Sequence, residues 1–321
     1  MLGAVLHAIG KQYSRKSLSS AGRRADPVKK SRRNKIIWAY CLIAPSLVLI
    51  IVLNLWPILQ TIFFSLNKIH GFEEPRFVGL SNYSMLLQDK IFWKSLWNTV
   101  LYTVVTVPVI VALSLLTAVA LNQKIHWKGF FRVCYFLPVI SAPTAVAMVW
   151  RWIYNDQFGI LNYLLSVFHI PAVNWIGDRN VVLWSIMFVG IWSLVGYNMV
   201  ILLGGLQNIS PDYYEAARID GADGVKSFFH ITLPLVTPTL FFVVMTTIIS
   251  SLQTFDYVFM MVDDNSPVLN STETIVYYFY KQTFVQYNKG YGSAIAIMLL
   301  IFILILTFVQ MKCQEKWVIY N

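Results

Sequence analysis

Four carboxylates crowd one short stretch of an otherwise apolar chain. Asp212, Glu215, Asp220 and Asp223 all fall in PDYYEAARIDGADG, residues 211–224, with Arg218 as the one basic residue among them. Neither histidine nor cysteine interrupts that stretch, so its chemistry is charge pairing and close docking rather than metal ligation. A second set is neutral. Thr247, Ser250, Ser251 and Thr254 fall within an arc of about 100° on a helical wheel, and Tyr197 and Asn198 stand upstream beside Gly196. Hydroxyl, amide and ring together suit a solute with apolar C–H faces and a rim of hydroxyls. Trp192, one turn before Gly196, reads as packing. The histidines His7, His70, His126, His169 and His230 are scattered, and Cys41, Cys134 and Cys313 lack metal-ligand spacing. GADGVKS (221–227) pairs Lys with Ser but has the wrong glycine spacing for a phosphate loop. No catalytic set, metal site or resident cofactor is expected, and the chain does not read as an enzyme.

The elements that must position these residues are membrane spans. Charged residues make up 12% of the chain, about half the share of a soluble domain, and the mean hydropathy is +0.60. Six runs are long enough to cross about 30 Å of hydrocarbon: 36–66, 97–121, 133–152, 181–206, 234–257 and 291–311. An all-α bundle of six transmembrane helices follows, because exposed helices of a soluble protein would show polar faces that these runs lack.

Orientation comes from the basic residues. Of 25 Lys and Arg, 17 lie in the tail 1–35, the loops 122–132 and 207–233 and the end 312–321; six of the 15 acids share that side. The positive-inside rule places these segments, both termini included, in the cytoplasm. The organisation is thus a basic tail 1–35, a six-span body 36–311 containing the loop 207–233, and a short cytoplasmic end 312–321. The opening MLGAVLHAIG has its charges after the apolar run, unlike a cleaved signal; residues 1–16 read equally as an interfacial helix or a disordered basic tail. Pro45 and Pro57 are candidate kinks in span one. Segments 77–99 and 155–170 read as interfacial helices, the second stopped by Pro171.

Locally, Ser210 is a good N-cap, Pro211 fits the first helical position and Asp212 complements the helix dipole. The helix should run to Gly221, which permits a bend. GVKSFFHI then forms a second short helix before Pro234 opens the next span. Ala216 and Ala217 allow a neighbouring surface to approach, while Glu215 offers a charge to a basic partner.

The spacing Glu215-Ala216-Ala217, Gly221, Ile231, Leu233-Pro234 matches position by position the EAA loop of binding-protein-dependent ABC importer permeases. Asp220-Gly221-Ala222 resembles the D-G-A of the sugar-transporting (maltose and multiple-sugar) branch. WSLVGYNMVILLGGLQNISPDYYEAARIDGA, FVGLSNY and YGSAIAI resemble it too, so the likeness covers nearly all of 36–311. It implies the type I permease fold and a multi-pass protein of the bacterial cytoplasmic membrane. It further implies that the loop forms coupling helices docked on a cytoplasmic ATPase, with Glu215, Ala216, Ala217, Asp220 and Gly221 at the contact. Positions matching Tyr197, Thr247, Ser250, Ser251 and Thr254 line the sugar site in that branch. The implied partners are a homologous second permease subunit forming a heterodimer, two ATPase subunits that carry ATP and Mg, an extracytoplasmic solute-binding protein, the sugar and the lipid bilayer. No nucleic acid is expected. Relatives often carry Gly-Gly-Pro after span five; here VDDNSPVLNST (262–272) stands instead, a segment that could meet the binding protein.

The expected function is ATP-driven import of a sugar or oligosaccharide by alternating access. The alternative within the family is a glycerol phosphate-type solute, which would favour cationic residues in the pathway, and none lies within the spans. A polytopic membrane transferase would need inward-facing catalytic acids or histidines.

Overall fold

A computed structural model of the chain describes residues 27–71, 73–123, 126–222 and 224–318, so most of the basic tail lies outside the described residues. The chain falls into two units, one ending at Gln60 and the other beginning at Thr61. In the first, α1 (Pro27–Ile50) enters a widened π-type turn at Ile51–Leu55 and continues into α2 (Trp56–Ser65). Residues Trp38–Ser65 make an apolar helical run of 28 residues. The widened turn has a local cause. Pro57 has no N–H and its ring crowds the carbonyl four residues back. The π turn lies just ahead of Pro57 and holds one residue more than an α turn, with the Trp56 N–H donating to the Ile51 carbonyl five residues back.

The second unit begins with the last residues of α2, followed by a two-residue antiparallel pair, β1 (Asn67–Lys68) with β2 (Arg76–Phe77), the short strands of an otherwise helical body among the described residues. Then follow α3 (Ser81–Gln88), α4 (Lys90–Asn122), α5 (Lys128–Ile140), α6 (Pro143–Ile153), α7 (Ile160–Val167) and α8 (Val182–Gln207). Next come α9 (Pro211–Ile219), α10 (Gly224–Ser227), a π turn at Phe228–Thr232, and α11 (Leu233–Leu252). The chain closes with α12 (Asp256–Met261), α13 (Leu269–Thr272), α14 (Ile275–Tyr280), a π turn at Lys281–Val285, and α15 (Lys289–Trp317).

Helices α4 and α8 form the spine, packed along their length. Ser114 on α4 donates to the Val195 carbonyl on α8 at 3.1 Å. Gly196 on α8 lets the backbone of α5 approach: a Cβ there would run into the Tyr135 carbonyl. Apolar clusters fill both ends. Ala118, Leu121, Met199, Leu202 and Val236 pack near α9. Tyr102, Ile186, Val189, Val258 and Met261 pack at the opposite end.

Among the described residues five helices are long and apolar enough to span a membrane, and the expected third span is broken. Instead of a straight run over 133–152, α5 and α6 meet at 100°. Pro143 opens α6, and Ala142 before it is extended (φ −60°, ψ 132°), as the steric demand of proline on its predecessor requires. Counting this bent pair as one span gives six. Two other boundaries differ from the sequence reading. Trp93 and Trp97 belong to the first turns of the long α4, and the fifth span runs from Gly224 to Leu252 instead of 234–257. Segment 155–170 holds α7, which ends before Pro171 as expected.

Candidate functional site

The cap residues shape α9 at both ends. Ser210 Oγ accepts from the Asp212 N–H at 3.3 Å, and Pro211 takes the first helical position. At the far end the Gly221 N–H donates to the Arg218 carbonyl (3.1 Å) and the Ala222 N–H to the Ala217 carbonyl (2.8 Å). These are the paired bonds of a Schellman cap, with Gly221 at φ +74° in the left-handed position and Asp220 as the last half-helical residue. A Cβ on Gly221 would meet nothing within 4 Å, so backbone conformation alone demands glycine.

Glu215, Ala216 and Asp220 are exposed. Ala217 is not: it is 7% exposed and packs within the chain. Of the two alanines, therefore, only Ala216 presents its methyl outward. Around Glu215 the same segment leaves Tyr213, Val225, Phe229 and Ile219 exposed, the last at 87%.

The expected short second helix does not end at Pro234. Gly224–Leu252 runs as one helical rod of 29 residues. The π turn at Phe228–Thr232 absorbs Pro234 just as the first π turn absorbs Pro57, with the Leu233 N–H bonded to the Phe228 carbonyl. The Tyr214 hydroxyl on α9 lies 3.1 Å from Thr232 Oγ1 at the base of this rod. Helix α9 is thereby tied to the same element that carries the neutral hydroxyls.

Those hydroxyls do not share one face. Asn198 Nδ2 donates to Thr247 Oγ1 at 3.0 Å, and Thr247 Oγ1 donates to the Val243 carbonyl at 2.6 Å, so this buried pair stitches α8 to α11. Tyr197, Asn198, Thr247 and Ser250 line a cleft of about 40 Å³, in which Tyr197 (45% exposed) and Ser250 are the open members. Ser251 is 1% exposed and its Oγ has no hydrogen-bond partner among the described residues. Thr254 lies past the end of α11, and its carbonyl accepts from Thr274 Oγ1 at 2.8 Å. The wheel extrapolation fails there because the helix closes at Leu252, leaving Thr254 off the helical register.

Trp192 packs edge-on against Trp150 of α6, with ring centroids 5.5 Å apart, yet remains half exposed. With Ser141 at the α5–α6 elbow these rings line a separate cleft of about 180 Å³. The signal for it was Pro143, whose break swings Trp150 opposite Trp192.

A cluster at the opposite end of the bundle from α9 escaped the sequence reading. Asp89, the N-cap of α4, accepts from the Ile91 N–H (2.8 Å), from the Tyr291 hydroxyl (2.6 Å) and from the Tyr278 hydroxyl. Burial pushes the Asp89 carboxyl up, but the hydrogen bonds from Tyr278, Tyr291, Ile91 and Phe92 outweigh it and hold the pKa below the usual aspartate value. Glu273 is 2% exposed, with Lys281 Nζ 4.0 Å away. Its burial dominates, and despite Lys281 its pKa is raised, with Asp89 and Asp264 adding to the rise. Arg151 clamps both oxygens of Asp263 at 2.8 Å. The segment 262–272 folds back on the bundle through Val268, Leu269 and Thr272 and leaves Asp263 and Asp264 outside.

One family, two relatives and one solved structure are similar to this chain. Residues 84–316 match the family described as binding-protein-dependent transport system inner membrane component. The arabinooligosaccharides transport system permease protein AraP of Bacillus subtilis is 33% identical over 280 residues, 87% of this chain and 88% of that protein. The sn-glycerol-3-phosphate transport system permease protein UgpA of Agrobacterium fabrum is 34% identical over 292 residues, 90% of this chain and 98% of the relative. In fold, the chain resembles one in the crystal structure of a bacterial alginate ABC transporter in complex with an alginate pentasaccharide-bound periplasmic protein. That likeness has a TM-score of 0.79 and 18% identity, covering 90% of this chain and 96% of the other.

Proposed function

Because the chain belongs to the binding-protein-dependent transport system inner membrane component family, we propose that it is one transmembrane half of an ATP-driven importer for a neutral sugar or oligosaccharide. In this reading α9 and the base of the Gly224–Leu252 rod dock on a cytoplasmic ATPase subunit. Glu215 meets a basic residue there, Ala216 gives close approach, and Asp220 and Gly221 set the bend. ATP and Mg belong to two such ATPase subunits. A homologous, non-identical permease completes the pathway, and an extracytoplasmic binding protein delivers the solute.

The observation that carries the reading is the continuity of the rod. A displacement at Lys226 or Phe229 has no hinge of free loop to dissipate it before it reaches Thr247 and Ser250. The Tyr214–Thr232 bond adds α9 to the moving body. At the solute end, the Tyr197 ring and Ser250 hydroxyl border a cleft whose lining carries no charge. That favours an uncharged sugar over a phosphate-bearing solute; the relatives include permeases of both classes, so the uncharged lining carries the choice.

The test is uptake into proteoliposomes holding this chain with its sister permease and ATPase, supplied with a sugar-loaded binding protein. ATP-dependent accumulation of a neutral oligosaccharide is expected. Accumulation of glycerol 3-phosphate with no neutral sugar taken up would overturn the sugar assignment.

A further inference from the structure

A cleft lies apart from the Tyr197–Ser250 cleft. It has a volume of about 620 Å³ and lies between the end of α4, α9 and the base of the rod. That size falls within the roughly 300–1,000 Å³ of small-molecule sites. Its polar lining residues include Arg218, Asn122, Gln123 and Ser227, and no acidic residue lines it among the described residues. Arg218 makes no ion pair among the described residues. Phe228 and Leu206 give the cleft an apolar wall.

We propose that this cleft binds a phosphate ester with a sugar or glycerol body, and that the bound ligand restrains the coupling segment. A planar guanidinium offers two parallel N–H donors to phosphate oxygens, and amides and hydroxyls complete the oxygen shell. The carbon body then lies on Phe228. Three separate elements contribute: α4 through Asn122, α9 through Arg218, and the rod through Ser227 and Phe228. A ligand that touches all three favours the arrangement in which they converge and opposes any cycle that separates them. Two sources share this chemistry, a soluble sugar phosphate in the cytoplasm and the headgroup of an anionic phospholipid. The restraint on transport rests on the coupling reading above; the binding does not.

The experiment uses the assembled transporter in nanodiscs. In discs of phosphatidylcholine, glucose 6-phosphate and glucose are titrated by calorimetry; in discs with added phosphatidylglycerol, lipid retained by the purified complex is measured by mass spectrometry. Binding of glucose 6-phosphate without glucose identifies a soluble ligand, and selective retention of phosphatidylglycerol identifies a lipid. Either is expected to weaken about tenfold or more in Arg218→Gln and to weaken in Gln123→Leu, an exposed position whose change leaves the core untouched. If neither phosphate source binds, or both variants bind as the parent does, the proposal is wrong. If binding follows the proposal but ligand leaves ATP hydrolysis unaltered, the restraint is wrong and the site stands.

Discussion

The Tyr214 hydroxyl and Thr232 Oγ1 lie 3.1 Å apart, joining an exposed helix to the base of a continuous 29-residue rod. Thr232 keeps a weaker contact to the Ser227 carbonyl at 3.5 Å, so the tyrosine supplies the only bond of the pair that crosses to α9. Tyr214→Phe deletes that bond and preserves the ring. A neutral hydrogen bond contributes about 0.5–1.5 kcal/mol, so the ratio of solute-stimulated to basal ATP hydrolysis should fall several-fold. An unaltered ratio in the reconstituted complex would show that the bond carries no coupling.

Burial separates the path residues into two groups with different expected outcomes. Tyr197→Ala and Ser250→Leu alter open members of the cleft and should reduce uptake several-fold at matched expression. Ser251→Ala removes a buried hydroxyl that has no partner among the described residues, so it should leave uptake near the parental rate and raise stability by about 1 kcal/mol. Uptake lost in Ser251→Ala and retained in Tyr197→Ala would reverse the assignment of open and packed faces.

Two carboxyls at the far end titrate in opposite senses. Asp89 is held below its ordinary value of 3.8, so its contribution is fully present above that pH and is lost as pH falls through its folded value. Glu273 is held above 4.5, so its ionisation in the folded protein costs stability as pH rises through its folded value. Glu273→Gln should therefore raise the melting temperature near neutral pH and make no difference near pH 4. Asp89→Asn should lower it near neutral pH, with the gap closing in acid. Thermal unfolding in detergent across that range checks both signs.

Much of this architecture was readable from local features. The six apolar runs, the Ser210–Pro211 start of α9 and the Gly221 bend each depend on neighbouring residues alone. What could not be read depends on contacts between distant segments. Asp89 meets Tyr291 across 202 positions, and no local spacing announces that pairing. Ala217 looked like Ala216 until packing turned it inward. Thr254 fell on the wheel with Ser250 and Ser251, but the wheel assumes a helix that closes at Leu252. Prolines misled in both directions. Pro143 breaks the third span, whereas Pro234 sits inside a rod with a π turn just ahead of it.

The orientation that places α9 in the cytoplasm has its own test. Lys226 and Asn270 are both exposed, and they lie at opposite ends of the bundle. In a background lacking Cys41, Cys134 and Cys313, Asn270→Cys should react with an impermeant thiol reagent on intact cells, and Lys226→Cys should not. Labelling of Lys226→Cys from outside would invert the topology.

The central claim is that residues 211–232 transmit work from an ATPase to the rod. It is tested most directly by measuring ATP hydrolysis stimulated by solute-loaded binding protein in the reconstituted complex, comparing the parent with Glu215→Lys. Glu215 is exposed and makes no ion pair among the described residues, so the change leaves this chain's own packing intact. It sets a positive charge against the basic residue expected on the ATPase. The account predicts that the variant inserts in the membrane normally but loses ATPase association or stimulated hydrolysis. Assembly and stimulation equal to the parent's would contradict it.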